Sequence, residues 1–496
     1  MITWGISANS HDAAVSVFHD EKLVFASHSE RFSGVKNDAH LSSSLINYLK
    51  TRYGGMPEQV YWYENPYLKT LRQLYAGQGL MWSKNNISRY LKNHGIYAPV
   101  KYNLHHHSHA AAGYYTSSFD DACVVVIDAI GEFTTYSVWR AQGEKLKCVY
   151  TMGYPHSLGL FYSAMTQRCH LKPNEDEYIL MGMAAYGDPD KFTGILLKEL
   201  IEMPNDDLRQ PFRLRRNLHR GCMDWFPDLS IKDTFDIAAA TQQVYEMIFD
   251  RILYQASELV QSKNLVLMGG CALNCSANRI TGRYFDQTWI MPNPGDAGSA
   301  IGAVLAQHPS WRIDSKDFTP FLGYDMGQVH SNYEIVEYLS VNKICGLARG
   351  RAEFGPRALG NRSLIADPRG KEIKKQVNNI KERQEFRPFA PAILEEYVDL
   401  YFDMPHGWKN SPYMQVTAKC KYPDQYPAIV HQDGTSRVQT VPKDNSPFRL
   451  LLEAWYARTK CPMLLNTSLN IKGKPMVNDH TDARNFESLH KVRVFT

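Results

Sequence analysis

One stretch, residues 105–133, most constrains how this chain can fold. It opens with HHHSH and continues into the apolar run CVVVIDAIGE. His105 and His109 are spaced i, i+4, so on a helix they project from one face and can bind a divalent metal. The alternative interpretation is a helix end with solvated histidines. We favour a site, because the apolar strand ends at Asp128, at the sheet edge where open α/β proteins bind ligands.

The same order of predicted strands occurs twice along the chain. Three short strands are predicted for residues 2–7, 13–20 and 22–30, the last two joined by a tight turn. Residues 123–152 repeat this order of strand, acidic loop and hairpin. Two such halves predict a duplicated ribonuclease-H-like α/β architecture with a cleft between them, in which the loop 9–12 faces phosphate.

Length and composition indicate two or three domains of a soluble protein. The chain has 496 residues, of which 44% are hydrophobic and 21% charged, and no apolar run approaches the roughly 18 residues needed to span a membrane. The first residues lack the pattern of a signal peptide, so we expect a cytoplasmic location and no membrane partner. Nine scattered cysteines without a CxxC pair argue against a disulfide framework, and Cys271 and Cys275 are interpreted as packing residues.

Two glycine-containing turns follow a long amphipathic helix that is predicted for residues 235–261. The strand NLVLMGG ends in Gly269 and Gly270, whose backbone can approach a phosphate closely. Asp296 follows a Pro-Gly turn and begins a helix of small residues. An acid at a helix start is often only a cap, but this backbone is built for close approach.

Asp296 could complete a metal site with the two histidines. If it meets His105 and His109, two imidazoles and one carboxylate bind a face of the metal and leave other positions open. That donor set suits Fe(II), with Zn(II) and Mn(II) as competitors.

Beyond a predicted linker at residues 308–323, arginines occur among glycine, proline and serine. They are concentrated in segments 343–370, 381–391 and 431–441, and the sequence LLNTSLNIKGKP follows. Guanidinium groups bind oxyanions bidentately, so these segments predict a phosphate pocket. A nucleic-acid groove is the rival interpretation, and the interspersed acids Glu353, Asp367 and Asp433 favour a compact small-molecule site.

Two basic stretches remain outside these motifs. Residues 65–104 contain six lysines and arginines and no acid, with aromatic residues between them. A second cluster of arginines occupies residues 209–220. Both could be solvated faces. The alternative is a groove that follows a polyanion and stacks aromatic rings on bases.

Together, the segments resemble one family, the O-carbamoyltransferases that include nodulation, cephem-antibiotic and aminoglycoside carbamoyltransferases. The resemblance extends over nearly the whole chain. The matching segments are HDAAV, ERFSGVKND, HHHSHAAAGYYTSSFDDA, PHSLGLFYSA, LMGMAAYGD, LVLMGGCALNCSAN, NPGDAGSAIGA, EFGPRALGNRS, FRPFAP, HQDGTSRVQTV and LLNTSLN. The chain departs from the family pattern at Ala129, where glycine is common, and at Leu469, where phenylalanine is usual.

The resemblance implies an enzyme of two domains. Residues 1–318 would form a Kae1-like domain of the actin-like superfamily, and residues 319–496 an α+β YrdC-like domain. The YrdC-like domain would convert carbamoyl phosphate and ATP into carbamoyl adenylate. The Kae1-like domain would then transfer the carbamoyl group to a substrate hydroxyl. Mg(II) is a candidate cofactor beside ATP, and a homodimer is a candidate assembly.

The resemblance also implies a role for individual residues. A metal, commonly iron, would be bound by His105, His109 and Asp296, with Asp128 beside it. The transfer site would be lined by His11 and Lys36, and the nucleotide contacted by Gly269, Gly270 and Asn274. Carbamoyl phosphate and the ATP phosphates would be bound by Arg357, Lys381, Arg387, Arg437 and Ser468.

The transfer step needs a base for the hydroxyl proton, and His11 and Asp128 are both candidates. The two basic stretches motivate the hypothesis that the acceptor is a hydroxymethylated pyrimidine, as a nucleotide or in DNA. The alternatives are a sugar or antibiotic acceptor, or an enzyme related to tRNA threonylcarbamoylation. A non-catalytic nucleotide-binding protein is a third possibility, which a failure to bind metal or carbamoyl phosphate would favour.

Overall fold

Two five-stranded sheets with the same strand order form the N-terminal part of the computed structural model, which describes residues 1–204, 209–226 and 229–496. The strands of the first sheet are β1 Ile2–Ser7, β2 Ala14–His19, β3 Lys22–His28, β4 Gln59–Trp62 and β5 Val100–Tyr102. Those of the second are β6 Asp121–Ile127, β7 Thr134–Gln142, β8 Lys145–Gly153, β11 Asn264–Met268 and β12 Gln287–Trp289. The short pair β9 Ile201–Glu202 and β10 Arg213–Leu214 lies apart.

The predicted duplication is confirmed by the pairing of these strands. The sheet orders are β3-β2-β1-β4-β5 and β8-β7-β6-β11-β12. In the first sheet, β1 pairs antiparallel with β2 and parallel with β4. In the second sheet, β6 pairs antiparallel with β7 and parallel with β11. The sequence therefore placed both hairpins and their order correctly.

Helices cover these sheets and connect them. The α-helices are α1 Glu30–Ser33, α2 Ser43–Arg52, α3 Pro66–Tyr75, α4 Ile87–Asn93, α5 His105–Tyr114, α6 Leu158–Arg168, α7 Glu177–Met183, α8 Thr193–Glu199, α9 Ile231–Leu259, α10 Ser299–Leu305, α11 Asn332–Asn342, α12 Ile373–Ile380, α13 Val398–Tyr401, α14 Pro447–Thr459 and α15 His480–His490. The long helix α9 begins four residues before the predicted start because Ser230 and Asp233 form a capping box there.

Helices α5 and α10 lie between the two sheets, which explains their small residues. The alanines of α5 are buried in one core with residues of both sheets, such as Ile6 and Val124. A Cβ atom on Gly302 of α10 would lie 1.8 Å from the Ser108 carbonyl oxygen of α5. The backbones therefore pack in direct contact, which fixes α5 and its histidines against the sheet edges.

The C-terminal part contains a six-stranded mixed sheet of order β21-β17-β22-β16-β14-β23. The strands of this part are β13 Phe321–Asp325, β14 Ile344–Ala348, β15 Arg351–Glu353, β16 Arg362–Ala366, β17 Ala390–Leu394, β18 Phe402–Asp403, β19 Thr417–Cys420, β20 Thr435–Arg437, β21 Gln439–Val441, β22 Met463–Ser468 and β23 Val494–Phe495. Hydrophobic clusters cover both faces of this sheet. The predicted linker 308–323 ends inside β13.

Among the described residues, none of the helices combines the length and apolarity needed to cross a membrane. The nine cysteines are free thiols.

Candidate functional site: a buried histidine–aspartate cluster joined to an arginine pocket

Four buried side chains from three separate segments meet at one point. His105 and His109 lie on α5, Asp128 follows β6, and Asp296 begins a short 3-10 helix before α10. One donor atom of each residue lies within 4.8 Å of the donor atoms of the others. The shortest separations are 3.0 Å, from His105 Nε2 to Asp128 Oδ2, and 3.1 Å between the two Nε2 atoms. The structure brings together the three predicted ligands and adds Asp128 to them.

The spacing of these donors fits a metal ion. Donors bound at about 2.1 Å lie roughly 3.0 Å apart in an octahedral sphere and roughly 3.4 Å apart in a tetrahedral one. Asp296 Oδ1 is 3.2 Å from His109 Nε2 and 3.4 Å from His105 Nε2. His109 Nδ1 lies 3.1 Å from the Pro294 carbonyl oxygen, to which its N–H would donate. The other ring nitrogen, Nε2, then faces the cluster with a lone pair that a metal can accept.

Burial and charge compete at this cluster. Burial alone would lower the pKa of His105, but the carboxylates of Asp296 and Asp128 outweigh it and raise that pKa well above its usual value. Burial opposes ionisation of both aspartates, and the neighbouring histidines nevertheless hold the pKa of each well below its usual range. Both carboxylates are therefore ionised at neutral pH, and two anions between two imidazoles suit a divalent cation.

The buried Glu132 fixes the start of the histidine helix. The residue before α5, Leu104, provides no side-chain cap. Instead, Glu132 Oε1 accepts hydrogen bonds from the His105 backbone N–H at 3.0 Å and from the Asn65 N–H at 2.7 Å. Sequence analysis did not identify Glu132 as a site residue, although it closes the CVVVIDAIGE run. Its role depends on a tertiary contact that spacing along the chain does not predict.

The loop 9–12 reaches the same cluster. His11 Nδ1 lies 3.1 Å from Asp12 Oδ2, and His11 Nε2 lies 3.5 Å from Asp296 Oδ2. Desolvation lowers the pKa of His11, but Asp296 and Asp12 outweigh it and raise this pKa to about 10. Asn9 and Asp12 have left-handed backbones, with φ of 67° and 53°. A turn of this kind directs His11 toward the cluster.

Lys36 lines the cavity beside this loop and is held by a buried acid. Its Nζ donates to Glu30 Oε1 at 3.0 Å and to Oε2 at 2.9 Å. Glu30 also accepts the Asn37 backbone N–H at 2.8 Å. The ion pair fixes the position of the Lys36 ammonium group in the wall of the cavity.

A single cavity of about 1430 Å³ connects the cluster to the C-terminal arginines. His11, Asp128 and Asp296 contribute to its wall in the N-terminal part, and Arg357 and Arg437 in the C-terminal part. The remaining predicted residues that line this cavity are Lys36, Gly270, Asn274, Lys381, Arg387 and Ser468. Gly269, His105 and His109 do not line it.

The double-glycine turn lies between the two ends of the cavity. Gly269 has φ of 90°, and a Cβ atom there would lie 2.1 Å from the Ile127 carbonyl oxygen, so only glycine fits. The Gly270 N–H donates to Asp128 Oδ1 at 3.1 Å. Asn274 forms a reciprocal amide pair with Gln242 of α9, with both hydrogen bonds at 3.1 Å. These groups form a polar wall that a nucleotide could contact.

The arginine pocket concentrates positive charge. Burial and the neighbouring Arg437 lower the pKa of Arg357 to about 9, and burial and Arg387 lower that of Arg383 to about 8. The Arg387 guanidinium also lies 4.7 Å from the ring centre of Tyr178. Cations that disfavour one another's charge are stabilised by a bound polyanion, so the pocket suits phosphate groups.

Lys381 is more constrained than its predicted role implies. Its Nζ donates to the Ser468 carbonyl oxygen, and to the Asn470 carbonyl and Oδ1 atoms at 2.9 Å each. Burial lowers its pKa well below the usual range. Ser468 Oγ donates to Asn470 Oδ1 at 2.6 Å. Lys381 therefore orders the loop that presents Ser468 to the cavity.

Several cavity residues received no individual role in the sequence analysis. Arg383 lies in the arginine-containing segment 381–391 that predicted the pocket, two positions after Lys381. Tyr178 and Gln242 lie on helix faces, and nothing in their spacing marks them. Cys271 and Cys275, interpreted as packing residues, also line the cavity.

Comparison with known proteins identifies the family. The family model described as Carbamoyltransferase N-terminus matches residues 3–305, and Carbamoyltransferase C-terminus matches residues 336–495. An uncharacterized protein of Synechocystis is 33% identical, over 97% of this chain and 93% of its own length. The nodulation protein NolO of Bradyrhizobium diazoefficiens is 31% identical, over 76% and 75%. A 3'-hydroxymethylcephem-O-carbamoyltransferase of Amycolatopsis lactamdurans is 26% identical, over 95% and 94%. The chain is therefore a transferase and belongs to the carbamoyltransferase family.

Proposed function

We propose that this protein is an ATP-dependent O-carbamoyltransferase with two reaction centres. Residues 319–496, as a YrdC-like domain, would make carbamoyl adenylate from carbamoyl phosphate and ATP. Residues 1–318, as a Kae1-like domain, would transfer the carbamoyl group to a hydroxyl. The observation that carries this proposal is the single cavity of about 1430 Å³ shared by the arginine pocket and the histidine–aspartate cluster. An intermediate could pass between the centres within it.

The arginine pocket supplies what the first step needs. Water would first hydrolyse carbamoyl phosphate to carbamate and phosphate, and a carbamate oxygen would then attack the α-phosphate of ATP and expel pyrophosphate. This chemistry depends on charge neutralisation more than on a protein nucleophile. Arg357, Arg387 and Arg437 would bind the phosphates of both substrates, and Ser468, positioned by Lys381, would complete the shell. Mg(II) is a candidate companion of ATP. The glycine turn and Asn274 would contact the nucleotide.

His11 is the better candidate for the base of the transfer step. Asp128 Oδ2 faces His105, and its Oδ1 accepts the Gly270 N–H, so both of its oxygens are engaged. His11 is 45% exposed in the cavity and is oriented by Asp12. In its neutral form His11 would take the acceptor proton as the hydroxyl attacks the carbamoyl carbon and AMP leaves. That form requires a cation bound by the cluster, whose charge would offset the carboxylates that raise the His11 pKa.

The cluster of His105, His109, Asp128 and Asp296 would hold the metal. We propose Fe(II), with Zn(II) and Mn(II) as alternatives that the same donors accept. A metal bound there would supply Lewis-acid stabilisation of developing negative charge. Lys36 would add a fixed positive charge nearby.

We propose that the acceptor is a hydroxymethylated pyrimidine, as a nucleotide or in DNA. The basic stretches at residues 65–104 and 209–220 support this choice, because phosphate-bearing acceptors need cations outside the catalytic cavity. A relative whose name specifies a hydroxymethyl group, the cephem enzyme, supports a primary alcohol. A sugar or antibiotic acceptor is the alternative, as is an acceptor like that of tRNA threonylcarbamoylation.

The test is mass spectrometry of candidate alcohols incubated with the protein, ATP and carbamoyl phosphate. We expect a mass increase of one carbamoyl group on hydroxymethyl-dCMP or on an oligonucleotide that contains it, and none when either ATP or carbamoyl phosphate is omitted. If only sugars became carbamoylated, the acceptor would be a sugar and not a hydroxymethylated pyrimidine. Absence of pyrophosphate release with both donors present would refute the donor half.

A further inference from the structure

The two basic stretches, distant in sequence, form one surface. Arg220 Nη2 lies 3.4 Å from the Gly77 carbonyl oxygen, across 143 residues of sequence. The ring of Tyr154 lies 6.2 Å from that of Tyr75 and 5.5 Å from that of His219. Residues 65–104 therefore border the arginine cluster of residues 209–220 in the folded protein. The sequence alone could not indicate this contact.

Exposed aromatic rings occupy both ends of helix α3 on this surface. Tyr67 is 54% exposed, Trp82 57% and Tyr75 72%. Tyr67 and Trp82 are 5.8 Å apart and, with Tyr102, wall a small cavity of about 100 Å³. At 1.5 Å per residue, Tyr67 and Tyr75 lie about 12 Å apart along the helix axis, so their rings could contact different bases of one strand.

The cations of this surface divide into two groups. Lys69 and Arg72 are buried and contribute to the fold, since Lys69 pairs with Glu64 at 2.5 Å and Arg72 donates to Gln78 at 2.9 Å. The other cations of this stretch are exposed, and their own segment contains no acid. They are Lys84, Arg89, Lys92 and Lys101.

Helix α3 is attached to the loop that follows Asp128. Asn65 at its start donates to Glu132 Oε1 at 2.7 Å, and Arg72 Nε donates to the Glu132 carbonyl oxygen at 3.1 Å. Phe133, the next residue, lies 6.3 Å from the ring of Tyr75. A ligand on this surface would therefore lie beside the loop that follows Asp128 of the histidine–aspartate cluster.

We infer that this surface, the rings and cations around helix α3, binds a single strand of DNA that carries the acceptor base. Exposed rings stack on unpaired bases, and lysines and arginines follow the phosphates. A free nucleotide would leave most of this surface uncovered. Of the two forms of the proposed acceptor, a nucleotide or DNA, we therefore favour DNA. This inference rests on the proposed function only for the identity of the acceptor, because binding needs no catalysis.

Fluorescence anisotropy with a labelled deoxythymidine oligomer tests this inference. We expect binding whose logarithm falls with the logarithm of salt at a slope of about −0.7 per phosphate contact. Trp82→Ala and Tyr75→Ala should each weaken binding by about tenfold or more. Tyr333→Ala is the matched control, because Tyr333 is also 72% exposed but lies on α11 in the C-terminal part, and it should bind like wild type. Lys84→Gln combined with Arg89→Gln should make the salt slope shallower.

Each result decides for or against the inference. No binding at low salt, or equal loss in the Tyr75 and Tyr333 variants, would overturn it. Self-association that Tyr75→Ala abolishes, without oligomer binding, would assign the surface to a second copy of the chain. Pyrophosphate release from ATP and carbamoyl phosphate without an acceptor should be unchanged in the surface variants. Its absence in wild type would refute the donor half of the proposed function and leave the binding result intact.

Discussion

At the scale of single residues, the donor atoms around His109 separate the cluster from other histidines of its helix. His109 Nε2 lies within 3.2 Å of both His105 Nε2 and Asp296 Oδ1. His107, on the same helix, stacks instead on Trp139 at 5.3 Å and 11°. Of these two histidines, His109 lies among several atoms that could bind a metal cation, whereas His107 packs against an aromatic ring.

If the cluster binds Fe(II) as proposed, His109→Ala should retain much less iron than the wild-type protein, since it removes one donor and unpairs two carboxylates. His107→Ala is the control and should keep wild-type metal content. Elemental analysis after anaerobic reconstitution with Fe(II) and desalting measures the difference without any assay of activity. Equal metal contents in the two variants would contradict the assignment of the cluster.

Asp12 gives a second prediction about single residues. Its carboxylate lies 3.1 Å from His11 Nδ1 and would accept the Nδ1 proton, so that Nε2 is the nitrogen that would act as the base. Asp12→Asn should slow carbamoyl transfer by about 10²-fold or more, with pyrophosphate release in the absence of acceptor unchanged. Asp12→Glu should restore part of the transfer rate. A parallel loss of both half-reactions would indicate a structural role instead.

His28 predicts how stability depends on pH. Burial lowers its pKa to about 4, against a usual value of 6.5 in an unfolded chain. Below pH 6.5 the unfolded chain therefore binds a proton that the folded protein does not, and this residue removes up to about 1.4 kcal/mol of stability per pH unit as the pH falls toward 4.

His28→Gln should reduce that loss. The variant will be less stable than wild type at pH 7.5, because His28 accepts a hydrogen bond from Asn293 Nδ2 at 2.9 Å and contacts the ring of Phe354. Between pH 7.5 and pH 5.0 its melting temperature should fall less than that of wild type. Differential scanning fluorimetry at the two pH values measures both slopes, and equal slopes would show that His28 titrates normally.

Sequence analysis identified residues that can be recognised from spacing along the chain. It missed residues whose role depends on a tertiary contact. The i, i+4 spacing of His105 and His109 and the strand end at Asp128 follow from periodicity, so they could be predicted. Glu132 depends on the approach of Asn65, and Gln242 on its pairing with Asn274. Lys381 was expected to bind substrate, but a lysine among arginines does not reveal that four oxygen atoms already surround its Nζ.

At the scale of elements, the contact between α5 and α10 determines where His105 and His109 lie. Gly302 makes that contact possible, since a Cβ atom would lie 1.8 Å from the Ser108 carbonyl oxygen and 2.8 Å from Ala112. Gly302→Ala should therefore move α5 away from α10 and lower both melting temperature and metal content. A destabilisation of about 1 to 3 kcal/mol is typical of overpacking.

Gly194→Ala is the matched control for this prediction. Gly194 also lies in a helix, α8, but a Cβ atom there meets nothing within 4 Å. Alanine has the higher helix propensity, so this variant should be as stable as wild type or more stable. If Gly302→Ala melted like Gly194→Ala and bound metal normally, close packing of α5 would not position the cluster.

The strands of the N-terminal part were predictable because hairpins alternate clearly and repeat. The structure places β2 and β3 within two residues of the predicted strands. The C-terminal part was harder to predict. Its strands are short, and segments such as β15 and β20 have only three residues. Such strands are too short for a reliable period, so only the arginines of this part were informative.

At the scale of the whole molecule, uncompensated charge couples the arginine pocket to stability. The pKa of Arg357 falls to about 9, with burial and Arg437 as causes, so its charge destabilises the ligand-free fold. Arg449 is the opposite case. Its guanidinium pairs with Glu396 at 2.6 Å and with Glu453 at 2.8 Å. A bound polyanion should offset the buried charge of Arg357 and so stabilise the fold. It should not change the contribution of Arg449, whose charge is already paired.

We therefore predict that pyrophosphate or carbamoyl phosphate raises the melting temperature of wild type, by an amount that grows with the logarithm of ligand concentration above Kd. Arg437→Gln should abolish most of this rise without lowering the melting temperature of the ligand-free protein, because it relieves repulsion on Arg357. Arg449→Gln should do the reverse, since it lowers the ligand-free melting temperature and keeps the ligand-induced rise. Thermal shift titrations of the three proteins measure both quantities. A rise of equal size in the two variants would place the anion site outside the cavity, because Arg437 lines that cavity and Arg449 does not.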